Sequence, residues 1–215
     1  MKNSLFVLLL SLFCLTFSCN NAADTSNNEE TTATEEAPDE TPAAEAEAVT
    51  AYTVPAKGAN YNITVVDGEP KSPRKEMKGQ IGEVAVTVNY GSPSKRGRDI
   101  WGTSLVPYGG KVWRTGANEA TIIEFSQDVM IEGQKLPAGK YSLFSVNEAE
   151  STNLHFNSET GQWGSNHDAS KDVLVVTVTP QTAAEVAESM DFMVDGDAVV
   201  LRWDTRAIPF KVAGA

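Results

Sequence analysis

Cysteine is almost absent from this sequence of 215 residues, which contains two, Cys14 and Cys19. Both lie near the N-terminus, so the rest of the chain has no thiol. A domain built from the later residues therefore has no disulfide and no nucleophilic cysteine. The sequence predicts that this protein functions without thiol chemistry.

Histidine is equally scarce, and the chain contains two, His155 and His167. Together with Asp168 they supply ligand types of a metal centre, but their spacing matches no metal-binding pattern. The sequence therefore predicts no metal and no cofactor. Ser165 lies beside His167, but nearness in sequence does not make a catalytic triad. Glu119 and Asp168 would be the carboxylate pair of a glycosidase, and nothing in the sequence brings them together, so no catalytic residue is assigned.

Basic residues are fewer than acidic ones: the chain has 17 lysines and arginines and 29 acidic residues, which gives a net charge of −12. Residues 20–50 hold nine acidic residues, no basic residue and no aromatic residue. Such a segment cannot bury enough apolar surface to fold, so residues 19–55 are predicted to be a disordered acidic linker. A specific acidic interaction tail is the alternative. From Tyr52 onward the chain has 20 acidic and 16 basic residues, which argues against a nucleic-acid partner.

No apolar run in the sequence is long enough to span a membrane as a helix. Leu5–Phe17 has the length of the apolar part of a signal peptide, which predicts a signal peptide over residues 1–18. Ser18 followed by Cys19 resembles the lipobox of bacterial lipoproteins, although Phe17 is bulkier than that motif prefers. The prediction is an exported chain that a lipid on Cys19 anchors in the bacterial envelope, at the outer membrane or the periplasmic face. An ordinary signal peptide with an incidental cysteine is the alternative.

The dominant pattern after the linker is an alternation of apolar residues with polar or small ones. It is clear in residues 84–88 and 199–204, and β-branched residues fill most of 173–179. A period of two with β-branched residues is typical of strands with one buried face. The sequence predicts an all-β domain over residues 56–215, a single β-sandwich or jelly-roll-like fold.

Turn residues separate the predicted strands. Glu132-Gly133-Gln134 indicates a tight hairpin turn between Val129–Ile131 and Lys135-Leu136, and Pro137-Ala138-Gly139 indicates a second turn. Gln181–Met190 is different, because its alanine and glutamate content favours a helix. We expect a short helical turn there that leads into a strand.

Several strings of residues are unusual in length and composition: Ser92–Arg98, Ile100–Gly102, Leu105–Gly109, Val112–Thr121, Leu136–Phe144, Gln162–Gly164 and Lys171–Leu174. Over about residues 79–212 they resemble the family known as domain of unknown function 2911. The resemblance implies an exported protein of Gram-negative bacteria, often a lipoprotein, with no assigned activity. Two positions depart from that family's pattern, because His155 stands where an aliphatic residue is common and His167 where tyrosine is common.

The segment Gly109–Phe125 joins a glycine-rich turn and a set of polar side chains to the start of a predicted strand. A planar guanidinium near an aromatic ring can hold a carboxylate, a phosphate or sugar hydroxyls through forked hydrogen bonds. This predicts a binding module for a polar small molecule, a glycan or a peptide. The predicted ligand-binding residues are Trp113, Arg114, Asn118, Glu119 and Trp163.

Other interpretations of the same residues stay open at this point. Arg114 can pair with Glu119 and only stabilise the turn, while Gly116 and Asn118 supply backbone conformations with positive φ. The basic loop Lys95–Arg98 can cradle an anion or can simply be solvated. The same polar cluster can also belong to a hydrolase or to a purely structural envelope protein.

Overall fold

The computed structural model describes residues 52–53 and 60–215, and it contains two antiparallel β-sheets. The prediction of an all-β, sandwich-like domain is therefore confirmed. The predicted signal peptide, Cys19 and all of the predicted linker except Tyr52 and Thr53 lie outside the described residues. Within the described residues, no helix has the length and apolar character needed to cross a membrane.

The strands are short in the first part of the chain and long at its end. In chain order they are β1 (Tyr61–Asp67), β2 (Arg74–Ile81), β3 (Val84–Gly91), β4 (Val112–Trp113), β5 (Thr121–Phe125), β6 (Val129–Ile131), β7 (Gln134–Leu136), β8 (Gly139–Asn147), β9 (Thr152–Asn157), β10 (Asp172–Val178), β11 (Gln181–Asp195) and β12 (Ala198–Gly214). A short 3-10 helix, Ala169–Lys171, precedes β10.

The larger sheet has the strand order β1-β2-β3-β5-β8-β9-β10, and the short β4 also pairs with β8. The smaller sheet has the order β11-β12-β6-β7. Burial follows the alternation seen in the sequence, because Val84, Val86 and Val88 of β3 are buried while the residues between them are partly or fully exposed. This alternation arises because successive side chains of a strand point to opposite faces.

The hairpin between β6 and β7 confirms the predicted turn, but Gln134 belongs to β7, so the turn consists of Glu132 and Gly133 alone. Glu132 has a φ of 47° and Gly133 a φ of 77°. Two successive residues with positive φ form the turn type that suits the right-handed twist of a two-residue hairpin.

The helical turn expected at Gln181–Met190 is wrong, because these residues belong to β11. They pair with β12 from Gln181 opposite Ala207 to Asp195 opposite Ala198, with register shifts on both sides of Ala187. Pairing along the length of a neighbouring strand outweighs the weak helix preference of alanine and glutamate. The register shifts place extra residues on β11, which blurs the alternation that would have revealed a strand.

Tyr52 continues the smaller sheet by one residue, in a parallel bridge with Ala183 of β11. Its backbone N–H donates to Thr182 O at 2.7 Å, and its carbonyl accepts from Ala184 N at 2.8 Å. Its hydroxyl donates to the Sδ atom of Met193 at 3.8 Å. These contacts attach the chain to the outer edge of β11 before β1 begins.

Three tryptophans connect the two sheets beside the predicted ligand site. The rings of Trp113 in β4 and Trp203 in β12 stack with centroids 6.2 Å apart. Trp101 meets Trp113 edge-on at 5.9 Å, and its Nε1 donates to Trp203 O at 3.1 Å. The stack forms a rigid wall on which the turn after β4 rests.

Candidate functional site

The turn from β4 to β5 is fixed by buried hydrogen bonds. Thr115 Oγ1 donates to Leu143 O at 2.6 Å, and Thr121 Oγ1 donates to Thr115 O at 2.9 Å. Thr115 and Asn118 both have positive φ, 47° and 64°. Asn118 therefore takes the conformation expected from the sequence, whereas Gly116 does not. A Cβ on Gly116 would lie 2.8 Å from Thr121 Oγ1, so close packing explains this glycine.

Arg114 leaves this turn with its side chain half-buried. Its Nη1 donates to the carbonyl of Asn118 at 3.1 Å, and no other hydrogen bond of its side chain is found among the described residues. Gly164 packs against the alkyl part of Arg114, since a Cβ at Gly164 would clash with Arg114 Cδ. The guanidinium is thus held in place while most of its donors stay free for another acceptor.

Glu119 is not the partner of Arg114. Its Oε2 lies 3.3 Å from Nη1 of Arg74, a residue of β2. Burial lowers the pKa of the Arg74 guanidinium, and the charge of Glu119 raises it. The alternative in which Arg114 and Glu119 pair within the turn is therefore not what the structure contains.

A hollow of about 270 Å³ lies between the turn and the tryptophan wall. We call it the arginine hollow, because Arg98 and Arg114 both line it and none of its lining residues is acidic. Its complete lining is Ser72, Pro93, Arg98, Leu105, Trp113, Arg114, Gly116, Ala117, Asn118 and Trp203. Two cations and one amide thus meet a largely apolar wall.

The two arginines of the hollow differ from most other cations nearby. Lys95 pairs with Asp204 at 2.7 Å and Arg74 pairs with Glu119. Arg98 donates from Nε and Nη2 to the carbonyls of Lys95 and Ser94, at 2.9 and 2.7 Å. In the part of the chain that the structure describes, neither Arg98 nor Arg114 forms a salt bridge.

Two further hollows adjoin the arginine hollow. One of about 310 Å³ is lined by Asn118 and Glu119 together with Arg74, and Asn118 borders the arginine hollow as well. The other, of about 250 Å³, is lined by Trp113, Arg114 and His167. Asn118 therefore lies between the arginine hollow and the first of these hollows, and Arg114 lies between the arginine hollow and the second.

The structure brings together some of the predicted ligand residues and separates others. Trp113, Arg114 and Asn118 share the arginine hollow, although Trp113 is 94% buried and serves mainly in the tryptophan wall. Glu119 faces the adjoining hollow. Trp163 is 51% exposed and lines none of the three spaces, but its backbone bridges to Glu119.

Arg98 lines the hollow but is not among the predicted ligand-binding residues. It belongs to the basic loop Lys95–Arg98, where a solvated or an anion-binding role was open. Asp204 and Glu188 tie this loop down through the Lys95 side chain and the Arg96 N–H, at 2.7 and 2.8 Å. Loop closure of this kind depends on contacts about 100 residues apart in sequence, so no local pattern indicates it.

Carboxyl groups with clearly shifted pKa values lie elsewhere. A backbone hydrogen bond from Ala138 holds the pKa of Asp128 below its usual range, and Ser170 does the same for Asp168. Neither carboxyl lines the arginine hollow. The hollow offers donors and positive charge, which suits recognition of an anion better than acid catalysis by a carboxyl group.

Comparison with known proteins agrees with the resemblance noted in the sequence. The family model described as "Protein of unknown function (DUF2911)" matches residues 72–212. A search of the curated proteins and a search of the solved structures each returned no match. The matched segment includes strands β2 to β11, most of β12, and the arginine hollow. The chain belongs to the DUF2911 family of proteins of unknown function.

Proposed function

We propose that this domain is a binding module whose arginine hollow takes the carboxylate or phosphate group of a small molecule, a glycan or a peptide. One observation carries the proposal: two arginines without a carboxylate partner among the described residues line one hollow with an amide and no acidic residue. In a domain where 20 acidic residues outnumber 16 basic ones from Tyr52 onward, such a local surplus of positive charge is a specific arrangement.

The physical basis is the geometry of the guanidinium. A half-buried Arg114 presents a planar fork of N–H donors that matches the oxygens of a carboxylate or phosphate. The wall behind it lowers the exposure to water and therefore strengthens each charge-assisted hydrogen bond. Trp113 and Leu105 of that wall can contact the apolar part of a ligand.

The size of the hollow limits the ligand. At about 270 Å³ it lies just below the usual range of ligand pockets, which is roughly 300 to 1,000 Å³. This suits the anionic group and a few neighbouring atoms. A larger glycan or peptide would extend into the adjoining hollows past Asn118 and Arg114.

A thermal-shift and calorimetric panel tests this function. The probes are succinate, citrate, glycerol 3-phosphate and uncharged glucose, in a buffer without phosphate. We expect the anions to raise the melting temperature of the protein and glucose to have no effect, because an anion accepts hydrogen bonds from the arginines and also balances their charge.

Substitution connects the binding to the site. Arg114→Lys keeps the charge but loses the fork, so we expect affinity for the best anion to fall at least tenfold, about 1.4 kcal/mol. Arg98→Gln should weaken binding as well. Arg96→Gln, in the same loop but outside the hollow, is the matched control and should bind like the wild type. Unchanged affinity in Arg114→Lys contradicts the proposal.

We further propose that the module is exported and anchored in the envelope through a lipid on Cys19. The support is the apolar run Leu5–Phe17 followed by Ser18-Cys19, together with the acidic segment that separates Cys19 from β1. Cells that express the wild type or Cys19→Ala can be labelled with palmitate. The label should appear in the wild type alone. Equal labelling of both proteins would contradict the proposed lipid anchor on Cys19.

A further inference from the structure

His155 and His167 meet at one carboxylate outside the arginine hollow. His155 Nδ1 lies 2.9 Å from Asp172 Oδ2. His167 Nε2 lies 3.0 Å from Asp172 Oδ1 and 3.1 Å from Oδ2. One atom from each residue falls within 4.8 Å of the others. We propose that His155, His167 and Asp172 form a binding site for a divalent transition metal ion of the zinc class.

The fold explains why the three residues meet. His155 lies in β9 opposite Val175 of β10, and Asp172 is the first residue of β10. His167 comes from the loop that precedes the 3-10 helix, and its ring packs against Phe144 at 4.6 Å. Strand pairing and this aromatic contact therefore place both imidazoles at the same carboxylate. Asp168, the carboxylate next to His167 in sequence, is not part of this cluster, because it accepts hydrogen bonds from Ser170.

The distances suit a metal ion. Around a tetrahedral zinc ion with bonds of about 2.0–2.1 Å, neighbouring ligand atoms are about 3.3 Å apart. The nitrogen–oxygen distances of 2.9 and 3.0 Å are only a few tenths of an ångström shorter. The three ligand atoms all lie within 4.8 Å of one another, so one ion can reach them all once the nitrogen–oxygen distances lengthen by those few tenths.

Charge and burial support the same conclusion. The Asp172 side chain is 9% exposed, and no lysine or arginine of the described chain forms a salt bridge with it. Asn157 Nδ2 donates to Asp172 Oδ1 at 2.7 Å and orients the carboxylate, as supporting partners of metal ligands do. A bound cation would balance this buried negative charge.

The ligand set selects the kind of metal. Two imidazole nitrogens and one carboxylate oxygen suit zinc and its transition-metal neighbours, whereas magnesium and calcium prefer oxygen ligands alone. His167 lines the hollow of about 250 Å³ that Ser165 and Arg114 also line. A water molecule as the fourth ligand would make the site an open one rather than a closed structural one.

The test uses the full chain with an affinity tag that contains no histidine, so that the chain's own histidines are the only ones present. After treatment with a chelator, Zn²⁺ is titrated in competition with a colorimetric indicator, and bound metal is counted by mass spectrometry. We expect one zinc ion per chain, a higher melting temperature with Zn²⁺, and no competition from Mg²⁺ or Ca²⁺. Bound Co²⁺ should give the visible absorption of a tetrahedral nitrogen–oxygen site.

The variants distinguish this site from general metal binding. His155→Leu, His167→Gln and Asp172→Asn should each weaken zinc binding more than about 100-fold, beyond what loss of a supporting partner causes. Asp168→Asn, which removes a neighbouring carboxylate outside the cluster, should bind zinc like the wild type. Circular dichroism checks that each variant is folded. The cobalt spectrum of the wild type tests the ligand set independently, because it does not depend on whether a variant folds. A wild type that binds no zinc, or binding that survives both His155→Leu and Asp172→Asn, overturns the proposal.

Discussion

The rings of Trp113 and Trp203 stack within 14° of parallel, one from each sheet, with both side chains almost fully buried. This contact links the short strand β4 to the longest strand of the fold and forms the wall of the arginine hollow.

The stack predicts a large effect on stability. Trp203→Ala should lower the free energy of unfolding by about 3–5 kcal/mol, because it removes a large buried ring and leaves a cavity. Trp163→Ala is the matched control: its ring is half-exposed, so the change should be within about 0.5 kcal/mol. Urea unfolding followed by circular dichroism measures both. Equal losses in the two variants would contradict this account of the wall.

Gly164 predicts a coupling between packing and ligand binding. In Gly164→Ala the new methyl group would collide with Arg114 Cδ and lie 2.7 Å from Asn118 O. We expect a loss of about 1–3 kcal/mol in stability and weaker binding of anions, because Arg114 has to move. Gly68→Ala has only Val65 Cγ1 nearby, at 3.8 Å, and should change neither quantity. Thermal melts and calorimetry with the best anion decide the matter.

The contacts of Arg206 predict that lysine cannot replace arginine at this position without loss of stability. Its guanidinium lies over the rings of Trp101 and Tyr108, at 5.1 and 5.6 Å. It also donates to Tyr108 Oη at 2.9 Å and to Glu148 O at 2.6 Å. Burial lowers the pKa of this group.

The Arg206→Lys variant should therefore lose about 1.5–3 kcal/mol of stability, because one ammonium cannot replace the forked hydrogen bonds and the ring stacking. Urea unfolding measures the loss. The exposed Arg96→Lys change serves as the reference and should stay within about 0.5 kcal/mol. A loss in Arg206→Lys no larger than that of the reference would show that charge alone is needed.

Asp128 predicts a pH dependence of known sign. The backbone N–H of Ala138 donates to its carboxylate at 3.0 Å, and Lys135 lies 3.1 Å away, so its pKa is lowered. A carboxyl whose folded pKa is depressed stabilises the fold above its unfolded pKa of about 3.9. That contribution disappears as the pH falls through the folded pKa. In Asp128→Asn, the free energy of unfolding should fall less steeply at acidic pH than in the wild type. Carbon NMR of the wild type should place the pKa of Asp128 below about 3.9.

Much of the fold follows from local patterns in the sequence. Alternation in Val84–Val88 and the turn at Glu132-Gly133 correctly indicate strands and a hairpin, because both depend on neighbouring residues only. Gln181–Met190 defeats the same approach. Its register shifts and its pairing with β12 come from residues farther along the chain, and composition does not reveal them.

The candidate site was less predictable than the fold. Arg114 and Asn118 were recognisable because they share one turn, whereas Arg98 reaches the hollow through a loop that Asp204 holds. Asp172 is hard to recognise for a similar reason, because only the pairing of β9 with β10 brings it to His155. Side chains that meet across strands leave no mark in the spacing of the sequence.

The single-residue bridge at Tyr52 has a consequence for any shortened form of the protein. Tyr52 occupies the carbonyl of Thr182 and the amide of Ala184 on the outer side of β11. A chain shortened from its N-terminus past Tyr52 would leave those two backbone groups unpaired. They lie on the sheet edge formed by β11, where Val186 is already exposed. Such an edge pairs readily with strands of other copies, so trimmed protein should oligomerise or precipitate more readily than the longer chain at the same concentration.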